Sequence, residues 1–178
     1  ISLRQSVPDF LTAVDRDITG LRVAWSSDYG FAAVDSEVLD VTSKAARVSE
    51  EMGCHVEEVD LVMKSPYDAF GPIFETNIYM AFGQYRKSHA GQLAYFTKDY
   101  IDWGSKLTAS DYARALGRLD QLRVQMTDLF EKYDLLLSPT LSQTAPPVGE
   151  FPEEIAGMPV YPHRYFGFHP FTFPINAI

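Results

Sequence analysis

Apolar residues in this chain recur in two different periods, and the switching between them lays out an order of strands and helices. Leu21, Val23 and Trp25 alternate along residues 20–25 and predict a strand. After it, Val38, Val41, Ala45, Val48 and Met52 recur in steps of three and four, which predicts a helix with one apolar stripe. Asp35 or Ser36 can cap the start of that helix, and Gly53 can end it in the left-handed conformation. Val56, Val59 and Leu61 carry a second strand. Strand, helix and strand make a βαβ unit, whose crossover is expected to be right-handed. Between the first strand and its helix, Ser26-Ser27-Asp28-Tyr29-Gly30 is turn chemistry, because short polar side chains bond the local backbone and a glycine closes the turn.

Residues 11–17 predict one or two helical turns ahead of this unit. Beyond it, Pro66 opens a segment where Phe70, Ile73, Phe74, Ile78, Ala81, Phe82 and Tyr85 recur at helical spacing, with Gly71-Pro72 expected to bend or delay the helix. Residues 94–103 predict a shorter, aromatic-rich helix. Thr108-Ala109-Ser110-Asp111 supplies caps for a long one. Its stripe is Tyr112, Leu119, Leu122, Met126, Leu129 and Tyr133, while Arg114, Arg118, Asp120, Arg123 and Asp128 lie on other faces. The many aromatics read as core rather than as a cofactor site.

The long helix runs into Leu135, Leu136 and Leu137, an apolar run expected to be a short strand buried on both faces. Ser138-Pro139 stops it, since proline has no N–H for a ladder. The Thr140 hydroxyl is then presented just past a strand end, where open α/β sheets place ligands. The plainer reading is a core strand followed by a surface loop. The fold class is α/β: strands near 21–25, 56–61 and 135–138 share a mostly parallel sheet, flanked by helices near 36–52 and 111–132.

Composition narrows the function classes. The chain has 178 residues, 46% of them hydrophobic and 22% charged, enough for one domain with a real core. A formal net charge of −9 argues against nucleic acid and against an anionic membrane surface. No apolar stretch is long enough to span a bilayer. Cys54 is the single cysteine, so no intrachain disulfide or thiolate metal cluster can form. Ile1-Ser2-Leu3-Arg4 lacks the layout of a signal peptide, and a soluble, cytoplasmic protein is the expectation. Ser6 to Phe10 reads as a connector. The histidines, His55, His89, His163 and His169, show no metal spacing beyond a weak six-residue step from His163 to His169. Glu50-Glu51 and Glu57-Glu58 read as solvated faces, and no glycine-rich phosphate loop follows the first strand.

Gly20 to Ser26, then Val34-Asp35-Ser36-Glu37-Val38, then Asp134 to Thr140 and Ala145-Pro146-Pro147 stand in an order that resembles the later part of an amidase-signature enzyme. The ending Phe173-Pro174-Ile175-Asn176-Ala177 resembles that family's apolar segment before its next core strand. The resemblance implies amide hydrolysis or acyl transfer through a Ser–cis-Ser–Lys constellation, with loop N–H groups holding the oxyanion. No such segment occurs here. Ser26-Ser27 lacks flanking glycines and Gly104-Ser105-Lys106 lacks a second serine, so no catalytic residue is assigned in this chain. In the family those residues precede the part represented here, so the chain resembles the later part of a larger amidase domain, residues 1–178, without its nucleophile.

The family's helices in this half, and the loop after the Pro-Thr strand end, cover the acyl side of the active-site tunnel. The resemblance therefore implies substrate contacts at Phe74, Asn77, Ile78, Thr140, His169, Phe171 and Asn176, with no metal and no cofactor. The implied partner is a small amide substrate in the full-length enzyme. Transamidating relatives that use glutamine tend to place an acidic residue about where His169 stands, which disfavours that activity here. The competing reading is a non-catalytic α/β binding or interaction module. The apolar end also suggests an uncovered edge. Self-association is expected through Phe166, Phe168, Phe171, Phe173 and Ile175, strengthened as salt screens the net charge.

Overall fold

The computed structural model describes residues 9–63, 66–160 and 165–178. Residues 6–8 of the expected connector and His163 lie outside that set. A short helix, α1 (Phe10–Val14), precedes strand β1 (Arg22–Trp25). Helix α2 (Ser36–Glu51) follows, then β2 (His55–Glu58). Four helices come next: α3 (Pro66–Phe82), α4 (Tyr85–Ser88), α5 (Tyr95–Gly104) and α6 (Ala109–Lys132). Strand β3 (Leu135–Leu137), a hairpin of β4 (Glu154–Ile155) and β5 (Met158–Pro159), and helix α7 (Thr172–Ala177) complete the order.

Strands β2, β1 and β3 form one sheet in that order, and both pairings are parallel. The expected α/β class and three-strand sheet are therefore present. From β1 the chain steps one way to β2, then returns across β1 to β3. In a parallel sheet of this order, right-handed crossovers in the two directions supply helical cover to both faces. That is why Val23, Ala24 and Trp25 are all buried, whichever face they point to. The caps behave as the sequence predicts: Asp35 accepts from the Glu37 N–H, and Thr108 and Asp111 form a reciprocal capping box. Gly53 follows α2 with φ at +92°, a conformation an L side chain would resist.

Four expectations are corrected. The α2 stripe faces outward: Val41, Val48 and Met52 are exposed, while Ala46 is buried and Val38 and Leu39 pack on the core. Thr42 and Ser49 donate to helix carbonyls of Val38 and Ala45, so a face of small residues and self-satisfied hydroxyls can be turned inward. The second strand ends at Glu58; the Val59 N–H still reaches the Trp25 carbonyl at 2.8 Å, and Leu61 leaves the sheet for the core. Strand β3 is an edge among the described residues, with Leu135 50% exposed, so it is not buried on both faces. Finally, α3 runs unbroken through Gly71-Pro72. Packing of α3 against α5, α6 and α7 offsets the one backbone bond that Pro72 cannot make.

The interior has two parts. One joins Tyr29, Leu61, Met63, Leu119, Leu122, Met126 and Phe171 between the sheet and α6. The other is aromatic, with Tyr100, Tyr165, Phe166 and Phe173 buried against Phe70, Phe74 and Trp103. The aromatics are packed against one another, as expected of core. Phe166, Phe171 and Phe173 are thus consumed by the chain's own interior, and of the rings and side chains expected at an association surface only Ile175 is classed as exposed. The tail has folded back as a short helix rather than standing uncovered.

An acid sits within the helical layer. Glu75 of α3 is 8% exposed and accepts the Tyr67 O–H at 2.5 Å. Helix α5 comes so close here that a Cβ on Gly104 would lie 2.2 Å from the Glu75 carbonyl oxygen. Burial raises the Glu75 carboxyl above its ordinary 4.5, with the Tyr67 bond acting the other way. A carboxyl raised by folding contributes most below its unfolded value, and that contribution is lost as pH rises through the folded value. Glu75→Gln keeps an acceptor for Tyr67 and carries no charge. Urea unfolding from pH 4 to pH 8 should show Glu75→Gln gaining on the native chain as pH rises; a gap independent of pH would refute the buried-acid account.

Candidate functional site

The strand order reverses at β1, so the crevice of an open parallel sheet is expected outside the carboxyl ends of β1 and β3. The loops leaving those two strands meet there. The Ser26 N–H donates to the Leu137 carbonyl at 3.0 Å, carrying the pairing one step past the strands. Ser26 Oγ accepts the Tyr29 N–H at 3.2 Å, and Asp28 Oδ1 accepts the Gly30 N–H at 2.7 Å. This tight turn holds Tyr29 at φ +53°, an uncommon conformation for a non-glycine residue. The ring is thereby turned inward, 2% exposed, with its edge on the Phe171 ring at a centroid distance of 5.1 Å.

Tyr29 is also joined to β3. Ser138 Oγ donates to the Pro139 carbonyl at 3.1 Å, so its contact with the Tyr29 hydroxyl at 2.8 Å has the phenol as donor. Burial pushes the Tyr29 phenol above its ordinary value, opposed by the Ser138 bond, and it stays a neutral donor. Past Pro139, Ser142 ties the loop down: its carbonyl accepts the Asp35 N–H at 2.7 Å, and its N–H donates to the Phe168 carbonyl at 2.9 Å. One short loop thus anchors the N-cap of α2 and the tail.

These elements enclose a pocket of about 430 Å³. Its walls are Tyr29, residues 136–140 of β3 and its loop, Met126 and Phe130 of α6, and Phe171, Thr172, Ile175, Asn176 and Ile178 of the tail. Three of the sequence-predicted residues, Thr140, Phe171 and Asn176, meet here. The others lie elsewhere. Phe74 is in the aromatic part of the core, stacked on Phe70 at 5.2 Å and edge-on to Tyr100 at 5.1 Å. Ile78 packs against the same cluster, and Asn77 is exposed on α3. His169 lies between Phe166 and Phe168, with ring centroids at 5.4 Å and 4.7 Å. Its Nδ1 contacts the Phe166 carbonyl at 3.0 Å, and since a carbonyl only accepts, Nδ1 carries the proton. Burial pushes this imidazole below its ordinary value, which favours the neutral ring.

Tyr29 and Ser138 were invisible as a pair in the sequence, 109 positions apart. The only local hint was a bulky phenol inside an otherwise short, polar turn. Among the described residues, no lysine is hydrogen-bonded to a serine, and no group of three His, Cys, Asp or Glu side chains is placed to hold a metal. Ser105 Oγ donates to the Asp102 carbonyl at 2.9 Å, an ordinary bond at the end of a helix. Among the described residues, no helix is long and apolar enough to cross a membrane.

The sequence and the fold are matched by known proteins. The family pattern described as Amidase covers residues 2–178. The chain belongs to the Amidase family. An acylamidase of Rhodococcus erythropolis is 28% identical over 160 residues, covering 85% of this chain and 32% of that protein. A glutamyl-tRNA(Gln) amidotransferase subunit of Streptococcus sanguinis (strain SK36) is 28% identical over 196 residues, covering 89% of this chain and 39% of that one. A solved bacterial aryl acylamidase of the amidase signature enzymes superposes with a TM-score of 0.82 at 26% identity, over 99% of this chain and 38% of that chain. The chain therefore spans roughly a third of the length of the relatives it matches.

Within this family member the Tyr29–Ser138 bond is a side-chain tie between the two loops of the crevice, beside the backbone bond from Asp35 to Ser142. Tyr29→Phe keeps the ring contact with Phe171 and removes only the hydroxyl. Chemical denaturation should show a loss of about 1 kcal/mol, the usual net worth of one such bond. No loss, together with unchanged amide shifts at residues 136–140, would show that the bond does not hold β3 in place.

Proposed function

We propose that this chain forms the substrate-facing wall of an amide carbon–nitrogen hydrolase, and that the pocket between β3, α6 and the tail holds the acyl side of the substrate. The observation that carries the reading is the convergence of Thr140, Phe171 and Asn176 with Tyr29 and Ser138 at the carboxyl ends of β1 and β3. The walls are mostly apolar, with hydroxyls and one amide at defined positions, which suits an apolar acyl group whose polar end needs orientation. Family membership supports amide chemistry.

The covalent route needs a nucleophile, a base and an oxyanion site, and none is assigned here. Ser26 Oγ is committed to the turn and is buried. On this reading the 178 residues alone bind an amide weakly and do not turn it over.

A nuclear magnetic resonance titration with acetanilide, followed by a product assay on the same sample, tests both halves. Shifts should concentrate at residues 136–140 and 171–178, with aniline no higher than in buffer. Shifts confined to residues 67–78 would move the acyl site to the aromatic helix. Release of aniline that disappears in Ser26→Ala or Ser27→Ala would overturn the absence of a nucleophile.

A further inference from the structure

A second, larger cavity lies on the other side of the β1–α2 loop. It encloses about 590 Å³ between Asp28, residues 30–33, Pro66, the β4–β5 hairpin with Val160, and Gly167 and Pro170. Such a volume is typical of a small-molecule site. None of the residues of the acyl pocket lines it. Its walls are apolar: Phe31, Ile155, Met158 and Pro170 are typical of them. The hairpin is built to stay in place. Ala156 and Gly157 both have positive φ, the geometry that matches a two-residue turn to the twist of its strands. The Val160 N–H bonds the Glu153 carbonyl at 3.0 Å, and Ile155 is 4% exposed although its strand has only two residues.

Against these walls, Asp28 is the one lining side chain, among the described residues, that carries a charge. Its Oδ1 is held by the Gly30 N–H, which fixes the carboxylate at the rim. No lysine, arginine or histidine among the described residues pairs with it. An apolar chamber with one oriented carboxylate at its rim selects an apolar body with a positive head, and the formal net charge of −9 adds to the attraction. We propose that this cavity is a binding site for an organic ammonium ion carried on an apolar group. This site stands apart from the amide-hydrolysis reading and does not require it.

Calorimetry and amide-shift mapping of the 178-residue chain, with n-hexylammonium, 1-hexanol and hexanoate as probes, test the assignment. Hexylammonium should bind best, hexanoate worst, with shifts at residues 28–33, 155–160 and 167–170. Asp28→Asn retains an acceptor for the Gly30 N–H, so the turn survives. It should weaken hexylammonium about fivefold, the order expected of a solvent-facing ion pair, and bring it level with hexanol. Added salt should weaken the native chain's binding in the same direction. Ala32→Phe fills the chamber and should abolish binding of both probes. No ammonium binding, shifts at 136–140 and 171–178 instead, or an Asp28→Asn affinity equal to the native one would each overturn the proposal.

Discussion

The pairing of Arg22 with Asp134 sets the register on which the carboxyl end of the sheet depends. Arg22 Nε and Nη2 grip the two carboxylate oxygens at 3.2 Å and 3.0 Å. The Arg22 N–H donates to Asp134 Oδ2 at 2.9 Å, and the Asp134 N–H returns a bond to the Arg22 carbonyl at 2.8 Å. Four bonds between two residues leave β3 one way to lie against β1. A slip of one residue would turn every β3 side chain to the opposite face. Ser138 would then point away from Tyr29, and the wall of the acyl pocket would come apart. The ion pair itself is solvent-facing, so its importance lies in geometry more than in charge.

From that register the rest of the site follows by short steps. The Ser26 turn places Tyr29, Tyr29 meets Ser138, and Ser142 ties the following loop to the N-cap of α2 and to Phe168. Phe171 closes on the Tyr29 ring, bringing α7 and the last residues over the crevice. The aromatic part of the core does a different job. Its rings lock α3, α5 and the tail together, and Glu75 with Tyr67 forms a polar contact on α3 where α5 comes closest. The pocket thus rests on two supports of different kinds. One is a chain of hydrogen bonds at the strand ends and the other is ring packing behind it.

Much of this was legible from residue order. Strand and helix periods, the Asp35 and Thr108 caps, the left-handed Gly53 and the stop at Ser138-Pro139 are local. Their cause lies within a few residues of backbone geometry or one helical turn. Thr140, Phe171 and Asn176 could also be placed together, because they follow strand-end and tail motifs whose resemblance runs in order along the chain.

What residue order could not decide was which face each element turns to the others. The α2 stripe has helical period, yet the sheet takes the Ala46 side, because small residues allow a closer approach than Val41 and Met52. Leu135 belongs to an apolar run but stands at an edge, since burial depends on neighbouring strands that a short run cannot report. Phe74 and Ile78 went to the core with the rings around them rather than to the crevice. The meeting of Tyr29 with Ser138, and of Asp28 with the hairpin cavity, joins residues far apart in the chain. Periodicity and capping determine the elements of this protein; close packing and long-range register decide which side chains share a site.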